Sequence, residues 1–335
     1  MKKAVIVGCG SIAAVHAAVL ASQPQSIFTG VADIKFEKAQ QFAEKYNVTP
    51  YSSMEEMIDK EHPDVLHICT PHYLHVPMAK YALSRGINVF MEKPPAISLE
   101  QLEELKASVK ASTAKLGLCY QNRYNSSYKT AKQYISSGKA GKVYGGRAIV
   151  TWDRPEPYYT QSDWRGRLAT EGGGVLINQA VHTLDLLVSL LGKPRLVDAS
   201  LSNHHLKEII EVEDTIEAYI EFDDKKACFY ATNAYCASVP PLIEICCENT
   251  TIRIEDQELT YYHKDGTIEK PKLDLQKALG KDYWGSGHAA CIGDFYDSLE
   301  QGKRFMLDLD AMEESIRLML GVYESARKNQ IVRLD

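Results

Sequence analysis

The chain has 335 residues, a formal net charge of −6 and a hydrophobic fraction of 45%, with a pI near 6.0. That length favours two domains over one, and the apolar fraction is ample for real cores. The acidic balance, with no long basic run, excludes a non-specific nucleic-acid binder. The eight cysteines show no CxxC and no Cys/His ligand spacing, so no metal site is expected and a reducing compartment, the cytoplasm, is. The opening MKKAVIVGCG breaks its apolar run at Gly8 and has no small-residue cleavage site, unlike a signal peptide. No apolar segment is expected to span a membrane.

Residues 4–7 form an unalternated apolar run, the pattern of a buried parallel strand. It leads directly into Gly8-Cys9-Gly10-Ser11-Ile12-Ala13, a GxGxxA turn, and then into the apolar helix AAVHAAVLAS. Gly8 permits the tight turn, Gly10 lets a pyrophosphate approach the backbone, and Ala13 allows close helix–strand packing. The helix N-terminus, with Ser11 and Ile12, faces the phosphates. A second strand over 28–32 ends in Asp33, 25 positions past Gly8, where an acid would hold the adenosine ribose hydroxyls. An acid there favours NAD over NADP; Lys35 nearby keeps NADP open.

Strand and helix patterns keep alternating. A strand over 65–69 ends in Thr70-Pro71-His72, and a helix over 75–85 follows. A strand over 87–91 ends in Glu92-Lys93-Pro94-Pro95; a helix over 98–111 and a strand over 116–120 complete the series. Repeated βα units predict a doubly wound parallel sheet, with ligands beyond the carboxyl ends of its strands. Lys93 stands at such an end, with the following proline restricting its backbone. The expected Rossmann dinucleotide-binding domain is 1–122.

From Gln121 the pattern changes. A short helix over 128–136 and a strand over 141–150 precede GGGVLINQAVHTLDLLVSLLG, an apolar helix on which Asn178, His182 and Asp185 fall on nearly one line. Taken alone that line reads as buried, hydrogen-bonded polar groups; opposite a lysine-bearing Rossmann half it reads as a wall of the site. Ile216, Ala218, Ile220 and Phe222 then alternate with Glu217, Tyr219 and Glu221, and further strands cover 227–232, 242–247, 251–255 and 258–263. Half-buried hairpins predict a large, mostly antiparallel open sheet with one face on a helix. The last long helix is expected over 309–328. The architecture is thus α/β followed by α+β, with 123–335 as a substrate-binding and oligomerisation domain and the site in the crevice between.

VGCGSIAAVH, CTPHYLH, MEKPPAIS, YQNRYN, SDWRG, EGGGVLINQAVHTLDLLVSLLG and GSGHAACIGDFYDSLE together resemble the Gfo/Idh/MocA family of NAD(P)-dependent oxidoreductases, the glucose-fructose oxidoreductase and inositol dehydrogenase type, over nearly the whole chain. The resemblance implies hydride transfer between NAD(P) and a secondary alcohol or ketone of a sugar, sugar derivative or cyclitol. It implies Lys93 beside the substrate hydroxyl and nicotinamide, with His182 as its partner. It also implies a homodimer or homotetramer through the C-terminal sheet, whose strand IEAYIEF is apolar and aromatic on both faces. Three departures stand out: Asn178 where relatives often hold aspartate, His72 where many have asparagine, and Asn125 where proline is common.

Oxidising a carbinol needs a base for its proton and a positive group for developing alkoxide charge. His182 is assigned as base and Lys93 as electrostatic partner, with the reverse assignment open. Asp185 either supplies the carboxylate that Asn178 lacks or holds a neighbouring loop. Cofactor contacts are expected from Gly8, Gly10, Ser11, Ile12, Asp33, Thr70, Pro71, His72, His75, Glu92, Lys93 and Gln121. The substrate pocket is expected to gather Lys93, Gln121, Arg123, Trp164, Arg165, Asn178, Gln179, His182, Trp284 and His288. Against this, Trp164 and Trp284 could be core fillers, Arg123 a structural ion-pair partner and His288 a helix-end residue. A non-catalytic dinucleotide binder would not need Lys93 with His182, whereas an NAD-using glycosidase with transient hydride transfer would share nearly every motif.

Overall fold

The computed structural model describes residues 1–275 and 287–334. They divide into two compact units, Met1–Gln121 with the described part of Ala278–Met312, and Asn122–Lys277 with Glu313–Asp335 as far as described. Elements are numbered in chain order.

The first unit alternates β1 (Lys2–Val7), α1 (Ser11–Ser22), β2 (Ser26–Ala32), α2 (Phe36–Tyr46), β3 (Thr49–Tyr51), α3 (Met54–Glu61), β4 (Val65–Ile68), α4 (His75–Ser84), β5 (Asn88–Glu92), α5 (Leu99–Ala111) and β6 (Leu116–Cys119). The strands form a parallel sheet ordered β3-β2-β1-β4-β5-β6. Its interior explains the unalternated strands: Ala4, Val5, Ile6, Val65, Leu66, Val89 and Phe90 are fully buried. Strand order reverses between β1 and β4, the switch point at which doubly wound sheets bind ligands. Ser53 and Ser98 cap α3 and α5, each accepting an N–H from three residues on. The three-residue strand β3 was not expected; it is too short to carry a pattern of its own.

The segment from 287 to 312 was expected with the second part of the chain but belongs to this first unit. It carries α10 (His288–Gln301) and Phe305. Phe295 and Phe305 ring-pack on each other and on Phe90 of β5, and Leu118 N donates to Leu307 O at 3.0 Å. Aromatic burial of this kind is long-range, and no local motif reports it.

The second unit holds α6 (Ser126–Ser136), β7 (Val143–Thr151), α7 (Glu156–Thr160), α8 (Leu168–Glu171), a π-helical turn (Val175–Ala180), α9 (Val181–Leu191), β8 (Pro194–Ser202), β9 (Thr215–Phe222), β10 (Lys226–Thr232), β11 (Leu242–Cys247), β12 (Thr250–Glu255), β13 (Glu258–His263) and β14 (Ile268–Glu269). After α11 (Leu309–Lys328), which starts four residues before this unit resumes, β15 (Val332–Arg333) returns to the sheet edge. The nine strands run β14-β13-β12-β11-β7-β10-β9-β8-β15, antiparallel except for the β7–β10 pair. On β9 the alternation is as read: Ile216, Ala218, Ile220 and Phe222 are buried, while Glu217 and Tyr219 are exposed. The run Leu168–Leu191 does have the length and hydropathy of a membrane span, contrary to the sequence reading, but 83% of its apolar window is buried inside the protein. It is a core helix.

Candidate active site

At the end of β1 the chain turns at Gly8, whose φ is +89°. A Cβ there would stand 2.6 Å from Cys69 O, so both conformation and space demand glycine. Beside Gly10 nothing lies within 4 Å of an added Cβ. α1 begins there with no side-chain cap and no acid in its first turn. The leading N–H groups, those of Ser11 and Ile12 among them, and the positive helix end therefore suit a pyrophosphate. Asp33 sits against this turn, its Oδ2 accepting from Cys9 N and its Oδ1 from Lys35 N, both at 2.8 Å. A carboxylate in that place suits ribose hydroxyls and repels a 2′-phosphate. These features fit NAD.

The other strand ends of this unit sort themselves by burial. Thr70 and Pro71 follow β4 and are part-exposed, whereas His72 is 3% exposed. His75 is fully buried, with Nδ1 2.7 Å from Pro94 O and Nε2 2.9 Å from Thr70 O. It binds two loops together rather than facing a ligand, and burial lowers its proton affinity. Gln121 is buried after β6, beside Cys119. From Val89 to Ala96 only Lys93 is not buried. Burial alone would raise the Glu92 carboxyl, but the hydrogen bond from His16 overrides it and holds the group well below the usual carboxylate range. His288 starts α10 at 1% exposure; burial pushes its imidazole down to about 4, against the opposing Glu92 charge. It is a buried, neutral histidine at a helix start.

In the second unit the opening glycines have a steric origin. A Cβ on Gly174 would fall 1.9 Å from Glu213 O. Glu213 accepts from Gly174 N at 2.8 Å, Leu176 N at 3.1 Å and the Tyr323 hydroxyl at 2.8 Å, and so anchors the start of the π turn. The π turn carries about one extra residue and is a frequent feature of functional sites. It breaks the regular 100° spacing that placed Asn178, His182 and Asp185 on one line. Between Glu171 and Val188 only Asn178 and His182 are not buried. Asp185 is 1% exposed and turned inward. Arg123 clasps it through Nε and Nη2 at 2.8 and 2.7 Å, and the Ser315 hydroxyl donates to it at 2.6 Å. Its carboxylate is thereby committed to structure, and Arg123 is the ion-pair partner that the sequence left open.

Sequence reasoning missed Glu171, which precedes the three glycines and is fully buried. It accepts from Gly166 N and from Asn178 Nδ2, both at 2.5 Å. Burial nevertheless pushes its carboxyl up to about 7, against those two donors. The signal was an acid seven positions before Asn178 in an apolar context. Asn178 Nδ2 donates to Glu171 Oε1, and this bond fixes the direction in which the amide points. Gln179 is likewise committed: Nε2 reaches the Tyr158 hydroxyl at 3.1 Å and Oε1 accepts from Asn233 Nδ2 at 3.1 Å. Trp164 and Arg165 are part-exposed, and the Arg165 guanidinium lies 4.3 Å from the Tyr158 ring centroid. Trp284 lies outside the described residues.

A family model described as "Oxidoreductase family, NAD-binding Rossmann fold" matches residues 2–120, and a GFO/IDH/MocA C-terminal domain model matches residues 128–253. Among curated relatives, D-glucoside 3-dehydrogenase of Escherichia coli (strain K12) is 28% identical over 209 residues, 61% of this chain and 57% of the relative. The 1-carboxy-3-chloro-3,4-dihydroxycyclohexa-1,5-diene dehydrogenase of Comamonas testosteroni is 30% identical over 190 residues, 55% and 46% of the two chains. The match thus spans about half the length of these curated relatives. The crystal structure of the WlbA dehydrogenase from Bordetella pertussis, in complex with NADH and UDP-GlcNAcA, superimposes with a TM-score of 0.86 at 25% identity, covering 99% of this chain and 98% of that one. With both domain models of one family matched, and well over half the sequence between them, the chain belongs to the Gfo/Idh/MocA oxidoreductase family.

Proposed function

We propose that the protein is an NAD-dependent dehydrogenase acting on a secondary alcohol of a sugar, sugar derivative or cyclitol, or running the reverse reduction. The observation that carries this reading is selective exposure. Lys93 is the one residue not buried in its stretch of strand end, and Asn178 and His182 are the two not buried in theirs. Each stretch is otherwise core, and polar side chains that stay part-exposed there suit a ligand. The relatives named above supply the chemistry: a dehydrogenase of glucosides, and one crystallised with NADH and a nucleotide sugar.

Bound NAD would take the hydride; the chain supplies position and protons. The Gly8–Ile12 turn would hold the pyrophosphate and Asp33 the ribose. Lys93 and His182 handle the alcohol, one removing its proton and the other stabilising alkoxide charge. Asn178, oriented by Glu171, contributes its amide to the substrate side of the site. Arg165 and Trp164 offer a cation and an aromatic face to a polyol ring. All eight cysteines are free, as in a reducing cytoplasm. The outer sheet face, with Tyr144 50% and Tyr219 38% exposed, would close a homodimer or homotetramer; light scattering reporting a strict monomer counts against that assembly.

A screen for NADH formation against inositols, free sugars, sugar phosphates and nucleotide sugars tests the activity. Turnover on at least one is expected, with Lys93→Met and His182→Ala each lowering it by orders of magnitude while NADH still binds. Near-normal turnover in both variants overturns the assignment. Glycoside cleavage without net NADH would favour the glycosidase alternative.

A further inference from the structure

Behind Lys93 the first unit contains a continuous chain of buried polar side chains from four elements. The Tyr296 hydroxyl on α10 lies 3.0 Å from His67 Nε2 on β4. His67 Nδ1 lies 2.9 Å from His16 Nδ1 on α1, and His16 Nε2 lies 2.9 Å from Glu92 Oε1 at the end of β5. Tyr296 and both histidines are at most 1% exposed, and Glu92 is 6% exposed. Two facing Nδ1 atoms form a hydrogen bond only if one, and not both, carries a proton. With Glu92 ionised, every contact is satisfied in two ways. In one, a neutral His16 receives from His67, which receives from Tyr296. In the other, His16 is an imidazolium that donates to His67 Nδ1, and His67 Nε2–H donates to the Tyr296 hydroxyl oxygen. In both, His16 Nε2–H donates to Glu92.

His67 is held neutral by burial, and the Tyr296 hydroxyl keeps its proton for the same reason. The ion-binding alternative for His16, Glu92 and Cys119, whose ligand atoms lie within 4.8 Å of one another, would consume a histidine nitrogen already in use. It would also need a thiolate where burial raises the Cys119 thiol well above its ordinary value.

We propose that His16 is a positioning residue for the hydride-transfer site: it clamps Glu92 as a buried carboxylate and so fixes the strand end that carries Lys93 to the helix that receives the cofactor pyrophosphate. The clamp joins α1, which starts at the GxGxxA turn, to the residue immediately before Lys93. It also keeps a negative charge next to the Lys93 ammonium, a counter-charge that the chain from Tyr296 holds in place. His16 closes the VGCGSIAAVH stretch, but neither it nor His67 is among the residues expected to contact cofactor or substrate, so this role is additional to theirs. It rests on the dehydrogenase reading for its effect on turnover but not for its geometry.

Two measurements on the full-length protein test it. Histidine and glutamate side-chain NMR at neutral pH should show His16 protonated at Nε2 and the Glu92 carboxyl ionised. In turnover assays His16→Leu should lower kcat by about tenfold or more while NADH affinity changes by less than about threefold, since misplacing a reacting group carries costs of this order. His16→Gln, whose amide nitrogen can donate in place of Nε2, should recover much of the loss. A protonated Glu92, or an unprotonated His16 Nε2, overturns the clamp whatever the activity. So does a folded His16→Leu protein with wild-type kcat, or a His16→Gln protein no better than His16→Leu. A wild type that transfers no hydride to any alcohol defeats the dehydrogenase reading instead, and the NMR result then decides the clamp alone.

Discussion

Replacing Glu171 with glutamine should change how stability depends on pH. Its carboxyl has an ordinary value of 4.5 and is pushed up to about 7 in the folded chain, mainly by burial. Between those values the native state binds more protons at this site than the unfolded chain does, so stability must fall as pH rises. The contribution is fully present below pH 4.5 and is lost by the time pH passes about 7. A displacement of that size corresponds to about 3 kcal/mol, a large fraction of a typical folding free energy. Glu213 is also buried and also raised, and its charge is one of the causes that raise Glu171, so Glu171→Gln removes both the Glu171 titration and its coupling to Glu213. Urea unfolding at pH values from 4.5 to 8, fitted with a common m value, should therefore give a wild-type curve that declines more steeply than the Glu171→Gln curve, by up to that amount. Parallel curves for the two proteins would refute the assignment of a titrating carboxyl to this position.

Other consequences are as concrete. Arg123→Ala should destabilise the protein by about 3–5 kcal/mol, because it strands the buried Asp185 carboxylate. Adding Asp185→Asn should restore part of that loss in thermal melts, and no restoration would argue against the pair. Asp33→Ala should cut the kcat/KM preference for NAD over NADP by about tenfold, one 1.4 kcal/mol step; an unchanged ratio removes Asp33 from the ribose site. Gly8→Ala places a Cβ 2.6 Å from Cys69 O at a φ of +89°. It should abolish NADH binding by fluorescence titration, and retained affinity would show that the turn can move.

What the sequence made visible was local. The GxGxxA turn combines a positive-φ glycine, an open glycine and a helix start within six residues, so its meaning survives without tertiary context. The same holds for the alternation along β9. Long-range pairing stayed hidden. Nothing near Asp185 announces Arg123, 62 positions away, or Ser315, 130 positions away. The return of Phe295 and Phe305 to Phe90 is a packing event with no sequence period. Glu171 reads as a polar helix residue until its burial is known. The π turn is equally silent: it starts where Gly174 passes close to the Glu213 backbone, a contact 39 positions apart in sequence. Burial also bears on residue type: His75 and Gln179, ligand-like in sequence, make hydrogen bonds within the fold, and His288 is buried at the start of α10.

Hydride transfer itself is tested most directly by isotope. An accepted alcohol carrying deuterium at the oxidised carbon should give NADH with one deuterium at nicotinamide C4 and a primary isotope effect in single turnover, both lost in Lys93→Met. NADH free of label, or product formed with no reduced cofactor at any stage, would contradict a dehydrogenase.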